Sequence, residues 1–438
     1  MTEERFRIAH GAVPEAVRDV CQTIHRAGHG AWIVGGCVRD LLLGRPVADW
    51  DVCTSARPEQ VQKLFRHVIP TGIKHGTVTV VLDRVHYEVT TLRGEGAYSD
   101  GRRPDEVYFV DDVREDLARR DFTVNAIAYD VARDEFMDPF EGRLDLSRRV
   151  VRAVGDGNER FREDGLRVLR AARFAATLEF ELDAATRDAI RPNLPTFRRV
   201  SRERIHDEWL KTMKARRPSR AFVIMNETGI LDEIDAELAR ASRLQAPDFN
   251  GTQLDLALAV MDAIAPGDAI LRLSALFLAM PEKFVLRYAK ENKFSTRDGA
   301  RLAHLTECVR TLPIGGDTSD ATLRRWLKRA TREGVADIAT VARARATVLA
   351  ARDGIVRSEP LEATLARIEA IRARRDPLEP GELAVNGEDL QRELGLAPSK
   401  ELGLVLRALM EAALDDPAVN TRESLLEAAK LALADARR

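Results

Sequence analysis

The sequence predicts an α/β domain built on a mixed β-sheet over residues 1–150, followed by an all-α remainder to residue 438. Two observations carry this division. Before residue 150, short β-prone runs recur (AWIVGG, DWDVCT, TVTVVL, HYEVTTL, EVYFV and EFMDPF), with helical patterns between them at about 14–27 and 58–66. After residue 150 those runs stop, and Ala, Leu, Arg and Glu recur at helical spacing. Turn signals punctuate that stretch at Arg191-Pro192-Asn193, Ala265-Pro266-Gly267, Pro313 to Gly316 and Glu379-Pro380-Gly381. A chain of 438 residues is too long for one core, so two to four domains are expected.

Composition removes several function classes. No apolar run reaches the length of a membrane span. The start, MTEERFRIAH, lacks the basic-then-apolar order of a signal peptide. Cys21, Cys37, Cys53 and Cys308 are scattered, which argues against a disulfide framework or a zinc site and fits a reduced cytoplasm. Net charge is −2, so nothing global points to nucleic acid. Locally, residues 198–220 hold nine Lys/Arg against three acids. That run reads equally as a phosphate-binding face or as a solvated helix laced with ion pairs.

Taken in chain order, the chemistry begins at VGGCVRDLLLGRPVADWDVCT, residues 34–54. Gly35 and Gly36 follow a strand and open a helical run, where backbone N–H groups can approach a phosphate. Tight turns need glycine pairs too. Arg39, on the first turn, is placed to meet a triphosphate. Asp49 and Asp51 fall in a β-prone run, where positions two apart share a face, so two carboxylates are expected on one side. Like charges that close are costly without a cation between them, and a pair of Mg²⁺ ions with a nucleoside triphosphate is the natural candidate. Glu88, inside HYEVTTLR, sits in a segment that reads as buried and is the candidate third acid. It could instead lie on an edge or pair with Arg93.

Further on, Arg119-Arg120-Asp121 followed by Asn125 is an arrangement for phosphate and ribose contacts. Alone it could equally be a surface ion-pair cluster. In RFREDGLRVLRAARF, Asp164, Arg167, Arg170 and Arg173 recur every three residues and are expected to line one helical stripe, with Leu166 and Leu169 facing the core. An Asp beside an Arg can match the Watson–Crick edge of C or A and reject G and U. An exposed helix with ion pairs three residues apart is the competing reading.

Collected, these residues resemble the class II tRNA nucleotidyltransferases, the CCA-adding family that also includes bacterial poly(A) polymerases. GGCVRDLLLG with DWDVCT, YEVTTLR, RRDFTVNAIAYD, DPFEGRLDL with VVRAVGD, RFREDGLRVLRAARF and SRERIHDEWLKTM occur in the family's order over residues 32–213. Weaker similarity continues in LAVNGEDLQRELGLAPSKELG and NTRESLL. The resemblance implies a nucleotidyltransferase head over 1–150, a base-recognising neck over 151–230, a body over 231–350 and a tRNA-binding tail over 351–438. It implies Mg²⁺ held by Asp49, Asp51 and Glu88, triphosphate contacts from Gly35, Gly36 and Arg39, and nucleotide contacts from Arg120, Asp121 and Asn125. Asp164 and Arg167 would select C and A, with Arg170 and Arg173 nearby. The 94–105 stretch would be the loop needed to switch from C to A.

The implied activity is template-independent addition of C, C and A to the 3′ end of tRNA from CTP and ATP, in the cytoplasm and without a membrane partner. Poly(A) synthesis and addition of A alone are the alternatives within the family. A non-catalytic RNA-binding protein is the alternative of another class. Residues 70–80 resemble the CCA-adding form, whereas poly(A) polymerases tend to carry a longer basic segment there. Three positions depart from the family. Glu141-Gly142 stands where two glycines are common, Gly157 where proline is common, and EDGLR where EDALR is usual. LRLSALFLAMPEK lacks the His-Asp of a phosphohydrolase segment, so that activity is not expected.

Overall fold

The computed structural model describes residues 8–9, 11–73, 76–95, 107–247, 249–315, 318–353, 358–395 and 398–436. The stretch 96–106, and with it most of the 94–105 loop, lies outside the described residues. The chain forms two compact units, Met1–Ala239 and Arg240–Arg438.

Unit 1 opens with the predicted α/β sheet. Its strands are β1 (Ala31–Val34), β2 (Asp51–Thr54), β3 (Val68–Gly72), β4 (Thr77–Leu82), β5 (Val85–Thr91), β8 (Ala128–Asp130) and β9 (Glu135–Met137), in the order β3-β4-β5-β2-β1-β8-β9. The short strands β6 (Arg93–Glu95) and β7 (Val107–Phe109) pair separately. β2 and β5 run parallel and the remaining neighbours antiparallel, which makes the sheet mixed. Val34, Cys53, Leu92, Val113, Leu117 and Ala128 form part of one buried apolar cluster beneath it. The helices here are α1 (Glu15–Arg26), α2 (Gly36–Leu42), α3 (Pro58–Leu64), α4 (Val113–Ala118) and α5 (Gly142–Arg148). α1 and α3 lie where the helical spacing placed them.

Helices then take over with α6 (Gly157–Glu163), α7 (Leu166–Leu178), α8 (Ala184–Asp188), α9 (Leu194–Phe197), α10 (Arg202–Thr212) and α11 (Ser219–Thr228). One strand pair persists past residue 150, β10 (Val150–Val151) with β11 (Glu181–Leu182); at two residues each, these are too short to leave an alternating pattern. α7 is buried almost all round, with Leu166, Leu169, Ala172 and Ala176 among its buried residues.

Gly165, at the break between α6 and α7, is a packing requirement. A Cβ there would lie 2.6 Å from the carbonyl carbon of Thr196 and 2.7 Å from the backbone nitrogen of Phe197. The glycine lets α9 press directly on the start of α7, so the backbone is held there.

Unit 2 is helical throughout its described residues, from Gln253–Ala263 to Arg422–Ala436. A buried ion pair, Arg324 to Asp376 at 2.7 Å, fastens it internally, and Arg324 also donates to the Leu414 carbonyl at 2.9 Å. All four cysteines are free and buried. Among the described residues no helix is long and apolar enough to cross a membrane.

Candidate active site

β1 ends in Val34 and the chain turns sharply at Gly35, whose φ of 75° favours glycine. A Cβ at Gly35 would stand 2.8 Å from Nη1 of Arg120, so the turn and that guanidinium are in close contact. α2 begins at Gly36 and places Arg39 one turn on. The Arg39 guanidinium is fixed on two sides. It donates to both carboxylate oxygens of Asp40 at 2.9 Å and to Oδ1 of Asn125 at 2.6 Å.

β2 starts at Asp51, not before it. Asp49 therefore lies in the loop that precedes the strand, and the expectation that strand alternation aligns Asp49 with Asp51 is corrected. Pro46 and the run after α2 delay the strand. The parallel register of β2 and β5 sets Asp51 directly beside Glu88. Glu88 is exposed, not buried as its apolar surroundings suggested, because β5 alternates and Tyr87 and Val89 take the inward positions.

Solvent reaches Asp51, yet protein surrounds it on most sides. Burial raises its carboxyl above the ordinary value, Glu88 and Asp49 raise it further, and Arg120 opposes them. Asp51 thus feels both of the other acids. No hydrogen bond or ion pair joins their carboxylates to a described residue. Nor do any three His, Cys, Asp or Glu side chains converge closely enough, among the described residues, to form an all-protein metal cage. A hard cation of the Mg²⁺ type is commonly held by one or two carboxylates together with substrate phosphates. A set of acceptor-only oxygens, without an ion-paired partner among the described residues, suits such an ion.

Arg119 and Arg120 both reach back to Asp116, at 2.7 and 3.1 Å. Burial would raise the Asp116 carboxyl, but the two guanidiniums outweigh it and hold it low. Nε of Arg120 is buried without a partner among the described residues, while its Nη1 lies beside Gly35. Asp121 is buried and fully engaged. It accepts from Phe122 N at 2.8 Å, from Asn125 Nδ2 at 3.0 Å and from Arg170 at 2.6 and 2.8 Å. Burial pushes Asp121 up, yet Arg170, Asn125 and Arg167 together bring it down to about 2.

The stripe on α7 holds for Arg167, Arg170 and Arg173 but not for Asp164. Asp164 falls at the end of α6, outside both helices, and its Oδ1 caps α7 by accepting from Leu166 N at 3.0 Å. Its ionic partner is Arg204, which donates to both carboxylate oxygens at 3.1 and 2.6 Å. Arg167 pairs with Glu163 at 2.5 Å and donates to the carbonyls of Arg160 and Arg119 at 3.1 and 2.7 Å. The direct Asp164–Arg167 pairing expected from the spacing is not formed. By count, Asp164 keeps one acceptor position, and Arg167 keeps its Nε–H and one Nη2–H.

Glu208 on α10 closes the arrangement. Arg173 donates to it at 2.5 Å, Lys211 pairs at 3.2 Å and Arg170 stands at 3.8 Å. Phe174 lies among three guanidiniums, with Arg173, Arg170 and Arg39 at 3.9, 5.2 and 5.4 Å from its ring centre. Arg204, Glu208 and Phe174 were not singled out from sequence. Arg204 and Glu208 stand four apart on α10, a helical neighbour spacing that offered the available signal. Within the 198–220 run, Arg198, Arg204 and Arg220 pair with acids outside it, Glu233, Asp164 and Glu181, whereas Lys211 pairs with Glu208 inside it.

The poly A polymerase head domain family matches residues 31–152, the "Probable RNA and SrmB- binding site of polymerase A" residues 179–241, and tRNA nucleotidyltransferase domain 2 residues 321–429. The chain is 35% identical over 411 residues to the CCA-adding enzyme of Lactobacillus delbrueckii subsp. bulgaricus, covering 93% of this chain and 95% of that one. It is 48% identical over 206 residues to the CCA-adding enzyme of Listeria monocytogenes serotype 4b, covering 47% and 52%. Among solved structures, the CCA-adding enzyme of Bacillus stearothermophilus in complex with CTP superposes with a TM-score of 0.72 at 32% identity, over 97% of both chains. The Thermotoga maritima CCA-adding enzyme complexed with tRNA gives 0.63 at 18% over 98% and 97%, a likeness of fold.

Proposed function

The chain belongs to the CCA-adding enzyme family, and we infer that it adds C, C and A in turn to the 3′ end of tRNA, taking CTP and ATP and releasing pyrophosphate without a nucleic-acid template. The observation that carries this reading is the group of unpaired carboxylates, Asp49, Asp51 and Glu88, set near a glycine turn and the guanidinium of Arg120. The family implies a divalent metal, and Mg²⁺ fits the oxygen donors present. Asp49, Asp51 and Glu88 would hold it, and when bound it supplies the charge that acidifies the RNA 3′-hydroxyl and neutralises the triphosphate.

This chain's own groups bind and orient. The turn at Gly35-Gly36 and the Nη1 of Arg120 beside it meet phosphate oxygens. Arg39, held by Asp40 and Asn125, keeps one Nη1–H and one Nη2–H for the same charge. Asp164 accepts a hydrogen bond from the exocyclic amine of C or A, and Arg167 donates to the base's ring acceptor. Because Arg204 and Glu163 already hold these two groups, little ordering is left to the base. Asp121 and Asn125 act by fixing Arg170 and Arg39. The reaction belongs in the cytoplasm, where tRNA ends are completed.

Incubation with tRNA lacking its CCA, Mg²⁺ and labelled nucleotides tests this. Two C additions followed by a single A are expected. A long A ladder would establish poly(A) synthesis instead, A added only after a CC end would establish an A-adding enzyme, and no incorporation would overturn the enzymatic reading. Arg167→Ala should relax the choice of C and A over G and U, by about tenfold for each lost donor pair; unchanged selectivity would remove Arg167 from base recognition.

A further inference from the structure

We propose that a second basic cleft in unit 1 is a phosphate-binding annex that receives the pyrophosphate leaving the site just described. The cleft encloses about 500 Å³ between the end of α2 and the outer halves of α7 and α10. Arg39, Arg45, Arg173, Lys211 and Lys214 line it, and Asp40 is the one acid in its wall. Arg39 and Arg173 connect it to the triphosphate and base-reading groups.

The charge of this cleft is not balanced internally. Asp40 is spent on Arg39, to which it is doubly bonded. Glu208 serves Arg173 and Lys211 together, one anion for two cations, while Arg170 is held by Asp121. Arg45 and Lys214 form no ion pair with an acid among the described residues. Arg45 is nonetheless held in place. It donates to the carbonyls of Thr177 and Leu178 at 3.3 and 3.2 Å, at the C-terminal end of α7, where the helix dipole favours a cation. Its Nε–H stays available.

A fixed guanidinium, an exposed ammonium at Lys214 and the adjoining Arg39 make a compact cationic bowl. Pyrophosphate, small and multiply charged, fits such an enclosure better than a nucleic-acid strand, which needs a long track of cations. The proposal rests on the nucleotide-transfer reading, since that reaction supplies the ligand.

The test uses the full-length protein and pyrophosphate itself. Calorimetric titration of pyrophosphate in the absence of nucleotide is paired with product inhibition of CTP incorporation. Lys214→Glu, at an exposed position, is expected to weaken pyrophosphate in both measurements by about fivefold, the scale of reversing one partly solvated charge. Arg45→Gln should act in the same direction, and the KM for the RNA primer should stay unchanged. A rise in the primer KM with pyrophosphate binding intact would assign the cleft to RNA phosphates and overturn the proposal. No change in either measurement would overturn it too. Failure of the nucleotide-transfer reading is recognised separately, because the parent protein would then incorporate no CTP.

Discussion

On the sheet of unit 1, Asp49, Asp51 and Glu88 carry three carboxylates with no ion pair to any described residue. Further along the same unit, Asp121, Asp164 and Glu208 each carry at least one arginine. The two regions lie in one unit and contribute three acids each, yet one set is left unsatisfied and the other saturated. The difference is chemical. The first region must release its oxygens to cations that arrive with substrate, so permanent partners would compete with them. The second must hold hydrogen-bonding groups in fixed directions against a base, so each acid is locked by a guanidinium fork.

The sharpest way to break this comparison is to neutralise one unsatisfied acid. Asp51→Asn should reduce CTP incorporation by at least about 10³-fold, since it removes a charged ligand from the reacting centre. Thermal stability should hold or rise, because repulsion from Glu88 and Asp49 is relieved. Activity within tenfold of the parent would remove Asp51 from the metal site.

Neutralising a saturated acid should do the reverse. Asp121→Asn leaves Arg170 without its nearest anion inside the protein and should cost about 3 kcal/mol of stability, read from denaturant unfolding. Acid titration separates the regions further. Asp121 is depressed in the fold, so its contribution is fully present above the unfolded value near 3.9. That contribution is lost only as pH falls through about 2. Asp51 is raised, so it takes up its proton at a higher pH than an ordinary carboxyl. Nucleotide incorporation should therefore fail on acidification well before the helices lose structure by circular dichroism. Simultaneous loss would show that the two regions do not differ in this way.

Sequence reading reached the sheet, the helical remainder and most of the charged positions, because strand alternation, helical spacing and charge are local properties. It did not reach the partners. Asp164 and Arg167 are three apart, and helical spacing pairs them only if one helix spans both. The helix breaks at Asp164, whose backbone is extended, and Gly165 admits the backbone of Thr196 and Phe197 where the next helix starts, a contact made thirty residues away. Arg204 then becomes the partner of Asp164 from forty residues downstream. Glu88 was misplaced for a similar reason. Its strand is apolar on one face only, and the register with β2 decided which face it took.

The smallest expected effect lies outside both charged regions and measures what their surroundings tolerate. Glu141, at the start of α5, has φ 58° and ψ 32°, a left-handed conformation that a side chain resists. The turn persists because Asp138 accepts from Gly142 N at 2.7 Å and Arg143 N at 2.9 Å. A Cβ on Gly142 would fall 2.2 Å from the Thr123 carbonyl oxygen. Gly142 is therefore fixed by contact, while position 141 is strained only in its own backbone. Glu141→Gly removes that strain, worth about 1–2 kcal/mol, against a loss of about 0.4–1 kcal/mol from the freer unfolded chain. A net gain of about 1 kcal/mol in unfolding free energy is expected, with CTP incorporation unchanged. A loss of stability would mean that the exposed Glu141 carboxylate contributes more than its backbone costs.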